Sequence, residues 1–450
     1  MRSHMLAQLV CLGRHTLTGV QATAGRVDSD WSADCRLYSR ERFDPEEVFA
    51  VARRRIDSCL EPKKPMVVAM DDSVMRKTGT KIYGVGYRRD PLSPPFHVNF
   101  MRGQRILQLS AALPLSQAPE IRMVPVAFQH VPVPAKPSRK ADALQWSEYR
   151  KAVRENRIGR LGLQSITRLR QSLDDDGRQK RPLHVVVDGR FTNRTVMRQL
   201  PERTVFIGRI RADAKLYHLP EAGSKQITGR RRIYGPDAPT PEQLRQSEDV
   251  PWQTIQARAC GRTHQFRLKV LRPLRWRPTS DQVDVQIVVI APLGYRLTKQ
   301  GRVLYRKPAY LVCTDPNLSL QQLLQAYLWR WDIEVNFRDE KTLLGLGQAQ
   351  VRTPASTELV PALTVAAYSL LLLAANRPQF SPSLPPPRWR PSPRKRRASL
   401  PDLIAQLRHD LWADSIRSPR FSHFTPPLSA NTKSEKPLPS LRGALFYAPA

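Results

Sequence analysis

Acid is scarce in this chain. Its 450 residues hold 39 Asp and Glu against 73 Lys and Arg, a formal net charge of +34, and the isoelectric point is about 10.8. Such an excess is out of place in an enzyme of small molecules and points to a polyanionic partner rather than to solubility alone. The bases are spread through folded-looking segments instead of one amphipathic helix, which favours nucleic acid over a membrane surface. Cysteine is sparse too. Cys11, Cys35, Cys59, Cys260 and Cys313 form no C-x-x-C pair and lie near no His pair of zinc spacing, a pattern that fits a reducing cytoplasm. No dinucleotide fingerprint, phosphate loop or nucleophile elbow stands out. The opening MRSHMLAQLVCLGRH has too short an apolar run for a signal peptide. The single long apolar stretch, Leu359 to Ala375, contains Pro361, Thr364, Tyr368 and Ser369, so we expect a buried core helix and no membrane span.

What is present divides into five segments. Residues 1–64 read as a small helical region: Leu6, Leu9 and Val10 lead into Gly13, and Asp44 with Glu47 resembles a capping box ahead of Val48, Val51, Ile56 and Leu60. Docking on DNA and simple packing are both open readings for it. Residues 65–210 begin with Val67 to Met70, a buried strand ending in Asp71, Asp72 and Ser73. A basic, Gly-rich loop over Met75 to Pro95 follows, then strands at Ile106 to Leu113 and Met123 to His130 that complete an antiparallel meander. Beyond the Pro-rich link Val131 to Pro137, a helix is expected from Ala141 to Leu173, interrupted at Gly159 and Gly162, with Asp174, Asp175 and Asp176 as its solvated end. His184 to Val187 is a second buried strand that stops at Asp188-Gly189, with a helix at Thr192 to Leu200 and a strand at Thr204 to Ile210. That order describes a parallel unit with a carboxylate at the end of its strand.

Residues 211–315 change character and read as a β-rich insertion, with strands at Trp252 to Cys260, Thr263 to Leu271, Val283 to Ala291 and Ala309 to Cys313. Residues 316–377 return to helix. Residues 378–450 form a Pro- and Arg-rich, partly disordered tail: a linker from Pro378 to Pro393, a cluster of Arg394, Lys395, Arg396 and Arg397 suited to DNA phosphates, and a short helix through Leu403, Ile404, Leu407 and Leu411.

One helix organises the rest. Leu320 to Leu344 lacks Pro and Gly, starts after Ser319 and stops at Gly345 and Gly347. At ~100° per residue, Tyr327, Arg330, Glu334 and Lys341 fall within an arc of about 60°. Leu324, Leu328, Trp331 and Val335 flank that stripe on one side, and Ile333, Phe337 and Leu344 on the other. A polar stripe between two apolar ones fits a cleft, although periodicity alone leaves a solvated charged face equally open.

The spacing of Tyr327, Arg330, Glu334 and Lys341 resembles the Y-R-E-K signature of bacterial insertion-sequence transposases of the DDE superfamily, the insertion-sequence-four-like group. The family also carries a strand ending in Asp, any residue, then Thr or Ser, which matches Asp71 and Ser73 and leaves Asp72 as the alternative. The resemblance covers roughly Met66 to Asn376. It implies an α/β fold, a ribonuclease-H-like mixed sheet flanked by helices, with the β-rich insertion between the second Asp and the Glu. It implies Asp71, Asp188 and Glu334 as catalytic residues and as ligands of two divalent ions, Mg²⁺ or Mn²⁺, a cation type that oxygen donors suit. Tyr327, Arg330 and Lys341 would hold DNA phosphates. An insertion aromatic can stack on a flipped base in relatives that cut through a hairpin, which makes Trp252 and Trp276 candidates beside the plainer reading of each as a core residue. The implied partners are double-stranded DNA and a second copy of the chain, with no membrane. Two other readings stay open: a DNA-binding copy without catalysis, which loss of a carboxylate would have favoured, and a ribonuclease-H-like nuclease without strand transfer.

Overall fold

The computed structural model describes residues 1–416 except 29, 31, 41, 91–92, 95, 98, 117–119, 221–231, 299, 379 and 381–396. Four helices lead: α1 (Arg2–Val10), α2 (Leu17–Thr23), α3 (Ser32–Ser39) and α4 (Pro45–Ser58). Asp44 caps α4 as expected, although its carboxylate accepts from the Glu46 amide and not from Glu47. Next come β1 (Met66–Arg76), β2 (Gly86–Arg89), β3 (Phe100–Pro114), β4 (Ile121–Val131), α5 (Ala143–Glu155), α6 (Ile158–Asp175), β5 (Leu183–Val187), α7 (Arg194–Met197) and β6 (Thr204–Arg209). Then follow β7 (Leu216–Tyr217), β8 (Asp237–Ala238), α8 (Pro241–Gln246), β9 (Gln253–Ala259), β10 (Arg262–Leu274), β11 (Val285–Ile290), β12 (Gly294–Tyr295), β13 (Leu304–Tyr305) and β14 (Ala309–Cys313). The chain's described part closes with α9 (Leu320–Trp329), α10 (Trp331–Thr342), α11 (Pro354–Ala374) and α12 (Leu400–Ile416).

Ten strands form one mixed sheet in the order β2-β3-β1-β5-β6-β14-β11-β10-β9, with β4 also paired to β3. Its centre reads β4-β3-β1-β5-β6. The first three are antiparallel, and β5 and β6 run parallel to β1. With helices on both faces, this is a ribonuclease-H-like arrangement. Met66–Met70 of β1 and all of β5 are continuously buried, and apolar apart from His184, because strands paired on both edges and covered on both faces have no side for water. Along β1, Met66, Val68 and Met70 enter one core cluster with Leu161 and Ile166 of α6. Val67 and Ala69 point the other way, into a cluster with Leu323, Leu324, Ile333 and Phe337 of α9 and α10. That alternation decides where the next two residues, Asp71 and Asp72, must point.

Several expectations are corrected. β1 does not end at Asp71 but continues through Asp72 and Ser73 to Arg76, because β3 goes on pairing with it. β2 lies within the stretch read as a loop. The glycines do not interrupt α6: the break falls at Asn156 and Arg157, and Gly162 lies inside the helix, where a Cβ would come 3.1 Å from the Phe191 ring. The helix after Asp188 shrinks to the single turn of α7. β14, β11, β10 and β9 extend the central sheet from β6, so the β-rich segment adds strands to that sheet. The expected helix from Leu320 to Leu344 is divided at Arg330, where α9 ends and α10 begins. Of its two apolar flanks, Ile333, Phe337 and Leu344 are buried, but Trp331 is 58% exposed.

α11 is the long apolar helix. Its sequence would suffice to cross a membrane by length and composition, yet most of it is buried inside the protein. Leu403 and Ile404 of α12 are buried, and Arg408 donates to the carbonyls of Val10 and Cys11 at the end of α1. Arg397 is engaged by Asp332 and donates to the Ile121 carbonyl at 2.9 Å, so this member of the basic cluster serves packing. Arg394, Lys395 and Arg396, nearly all of the Pro-rich linker and the chain beyond residue 416 lie outside the described residues.

Candidate active site

The two aspartates meet because two parallel strands end together. Met70 and Val187 are the last partners in the β1–β5 ladder, and Asp71 and Asp188 each follow by one residue. Asp188 begins a turn in which its carboxylate accepts from the Arg190 amide at 2.9 Å and its carbonyl from the Thr192 hydroxyl at 2.9 Å. Burial pushes the Asp71 carboxyl up to about 7, and the charge of Asp188 adds to that rise. The Asp72 amide, 2.8 Å from Asp71 Oδ1, and the Arg330 guanidinium act in the opposite direction. A carboxyl whose proton affinity is raised by burial and by a second carboxylate is a natural place for a cation.

The polar stripe of the signature helices faces that position. Arg330 is buried at the α9–α10 junction and reaches Asp71 Oδ2 at 3.7 Å with one terminal nitrogen and Glu334 Oε1 at 3.2 Å with the other. Its guanidinium carbon stands 5.9 Å from the centre of the Tyr327 ring. One turn after Phe337, Lys341 donates to the Ser73 hydroxyl at 2.6 Å. Burial lowers the Lys341 pKa. Tyr327, Arg330, Glu334 and Lys341 are therefore brought together with Asp71, Ser73 and Asp188 around one face of β1.

Asp72 belongs to the other face. Its carboxylate takes the Arg105 guanidinium at 2.7 Å and that of Arg190 at 3.4 Å. The register explains the pairing: Asp72 stands opposite Leu107 on β3, and Arg105 is two residues away on the same side. Of the two alternatives left open by the sequence, Asp71 is the one that faces Asp188 and Arg330.

Asp71, Asp188 and Glu334 offer only oxygen donors, the set that hard divalent cations take. The rise that burial and the Asp188 charge give Asp71 fits such an ion. Among the described residues no three His, Cys, Asp or Glu side chains converge as a ready metal cage, and the Arg330 fork lies between Asp71 and Glu334.

Three neighbours escaped the sequence reading. Arg105 and Arg190 carry no motif. Glu340 is fully buried, with neither carboxyl oxygen hydrogen-bonded among the described residues. Burial pushes its pKa up to about 8, and the Gln108 side chain beside it acts to lower it. Gln108 is the β3 partner of Asp71, so this buried acid lies behind the site. A signal existed: Ile333, Phe337, Glu340 and Leu344 follow helical spacing, which places Glu340 within the apolar flank. Trp252 and Trp276 are not brought to the carboxylates. Trp276 is buried in the core, and Trp252 is half-buried with Lys269 Nζ 4.8 Å and the Arg267 guanidinium 5.3 Å from its ring centre.

A family model described as DDE superfamily endonuclease matches residues 2–279. The match spans Asp71 and Asp188 and ends before Glu334. No curated protein matches the chain in sequence.

Proposed function

This chain belongs to the DDE superfamily endonucleases, and from that premise we propose that it is an insertion-sequence transposase that cuts DNA at the ends of its element and joins them to target DNA. The observation that carries the reading is the convergence of the Tyr327, Arg330, Glu334 and Lys341 stripe on Asp71, against the strand end where Asp188 follows. DDE superfamily endonucleases generally use divalent metals. Here Asp71, Asp188 and Glu334 would hold two ions, Mg²⁺ or Mn²⁺. When bound, the ions supply neutralising charge for the phosphoryl oxygens and the acidity that makes water a nucleophile.

The chain's own residues account for the rest. Asp71 must release its proton to act as a ligand, which links activity to pH near 7. Arg330 offers a planar fork suited to two phosphate oxygens, and its Nε has no acceptor among the described residues. Lys341 adds a point charge beside Ser73, and the Tyr327 ring steadies the Arg330 plane. In strand transfer the freed 3′-hydroxyl takes water's place. Its oxygen forms a new bond to a target phosphorus, its proton is lost, and the target 3′-oxygen leaves and is protonated. Pairing of two element ends calls for a homodimer on DNA, acting in the bacterial cytoplasm at the nucleoid.

The test is cleavage of a plasmid carrying the DNA that flanks this gene, in Mg²⁺ or Mn²⁺, with Glu334→Ala beside the parent. Cutting at the element boundary by the parent alone supports the reading. Binding without cutting by both proteins would leave a DNA-binding protein in its place.

A further inference from the structure

A second basic feature lies apart from the acidic cluster and shares none of its residues. It is a cleft of about 540 Å³ lined by Arg194, Arg198, Arg232, Tyr234, Arg277 and Asp281. Asp281 is partly spent inside the cleft, 3.8 Å from Arg198 and 3.4 Å from the Tyr234 hydroxyl. Among the described residues Arg194, Arg232 and Arg277 have no carboxylate partner, and all three are exposed. Unpaired like charges crowded in one cleft repel one another, so the arrangement gains when an anion enters.

The aromatic residues indicate which part of a nucleic acid enters. Tyr217 and Tyr234 pack with ring centres 5.1 Å apart. The Arg277 guanidinium covers both, 5.0 Å from the first ring centre and 5.9 Å from the second. Tyr217 is buried and Arg277 lies over both rings, which favours phosphate contact over base stacking here. A stacked guanidinium keeps its in-plane N–H donors free and has lost much of its side-chain freedom, which prepares it for phosphate oxygens. Arg194 opens α7 and Arg198 closes it as its C-cap, in the same connection that starts at Asp188.

We propose that this cleft holds the phosphodiester backbone of a DNA duplex, without reading its sequence, along the α7 connection that leads from Asp188. The inference rests on the transposase reading, because it takes DNA as the substrate. Phosphate contacts of this kind fix register on the duplex and carry no base information.

The experiment measures binding of the full chain to two short labelled duplexes of unrelated sequence over ~50–200 mM salt. Removing two phosphate contacts in the Arg194→Ala/Arg277→Ala protein should make the slope of log K against log salt shallower by about 2, with equal weakening on both duplexes. The Arg194→Lys/Arg277→Lys protein should keep most of the parental slope, which separates lost charge from lost fold. Removal of two exposed arginines elsewhere, Arg150→Ala/Arg154→Ala on α5, should leave the slope nearly parental. A parental slope in the double-alanine protein, or an equal loss in the Arg150/Arg154 control, would overturn the cleft proposal while leaving the transposase reading intact. If the parent binds neither duplex, both fall together.

Discussion

Asp71 and Asp72 are neighbours in sequence and opposites in situation. On one face of β1, Asp71 meets a second carboxylate and one shared arginine at 3.7 Å. On the other, Asp72 is nearly buried and neutralised by Arg105 at 2.7 Å and Arg190 at 3.4 Å. The backbone supplies both positions equally, since a strand alternates its sides. What differs is the layer each side faces: the polar stripe of α9 and α10 against a β3 side that carries arginine. One carboxylate is left under-compensated, as the proposed cation ligand would be, and the other is committed to holding arginines in place.

The largest effect should separate the two in activity. Asp71→Asn is expected to reduce metal-dependent cleavage by ~10³-fold or more, with a melting temperature close to the parent's. Steady-state cleavage together with a thermal melt reads both quantities. Loss of cleavage in Asp72→Asn at full stability, with Asp71→Asn active, would reverse the comparison.

Stability should separate them in the other direction. Asp72→Ala leaves Arg105 buried without its partner, which costs about 3–5 kcal/mol. Denaturant unfolding in the absence of metal checks this, and a loss under about 1 kcal/mol would show the pair to be exposed in solution.

A smaller effect concerns Glu340, the acid behind the site. Folding holds its proton up to about 8, whereas the unfolded chain releases it near 4.5. Its contribution is full below the unfolded value and is lost as pH rises through about 8. Glu340→Gln, which keeps the neutral shape, should match the parent only below about pH 4.5, be the more stable of the two near pH 7, and show a flatter fall of stability between about pH 4.5 and 8. An unchanged slope of stability against pH would mean that Glu340 ionises freely in the folded chain.

Much of this site was legible because its signals are local. A β-branched run before Asp188, an apolar run before Asp71 and four residues at helical spacing each speak within a few positions. The errors came from long-range partners. β1 continues through Asp71 because β3 extends to pair with it, and no feature of Met66 to Ser73 announces that partner. The strands β9, β10, β11 and β14 were recognised one by one and the short β12 and β13 were not, while attachment of the four to β6 through β14 is a tertiary fact. The division at Arg330 has no breaker residue, and it coincides with a buried guanidinium reaching Asp71 and Glu334. Asp72 could be distinguished from Asp71 only once Arg105 was placed.

The most direct test of this account is calorimetric titration of Mn²⁺ into the parent, Asp71→Asn and Asp72→Asn proteins on both sides of pH 7. The account predicts that parent affinity rises as Asp71 loses its proton through about 7. It also predicts that Asp71→Asn abolishes binding and that Asp72→Asn retains it. Parental binding by Asp71→Asn, or loss confined to Asp72→Asn, would contradict it.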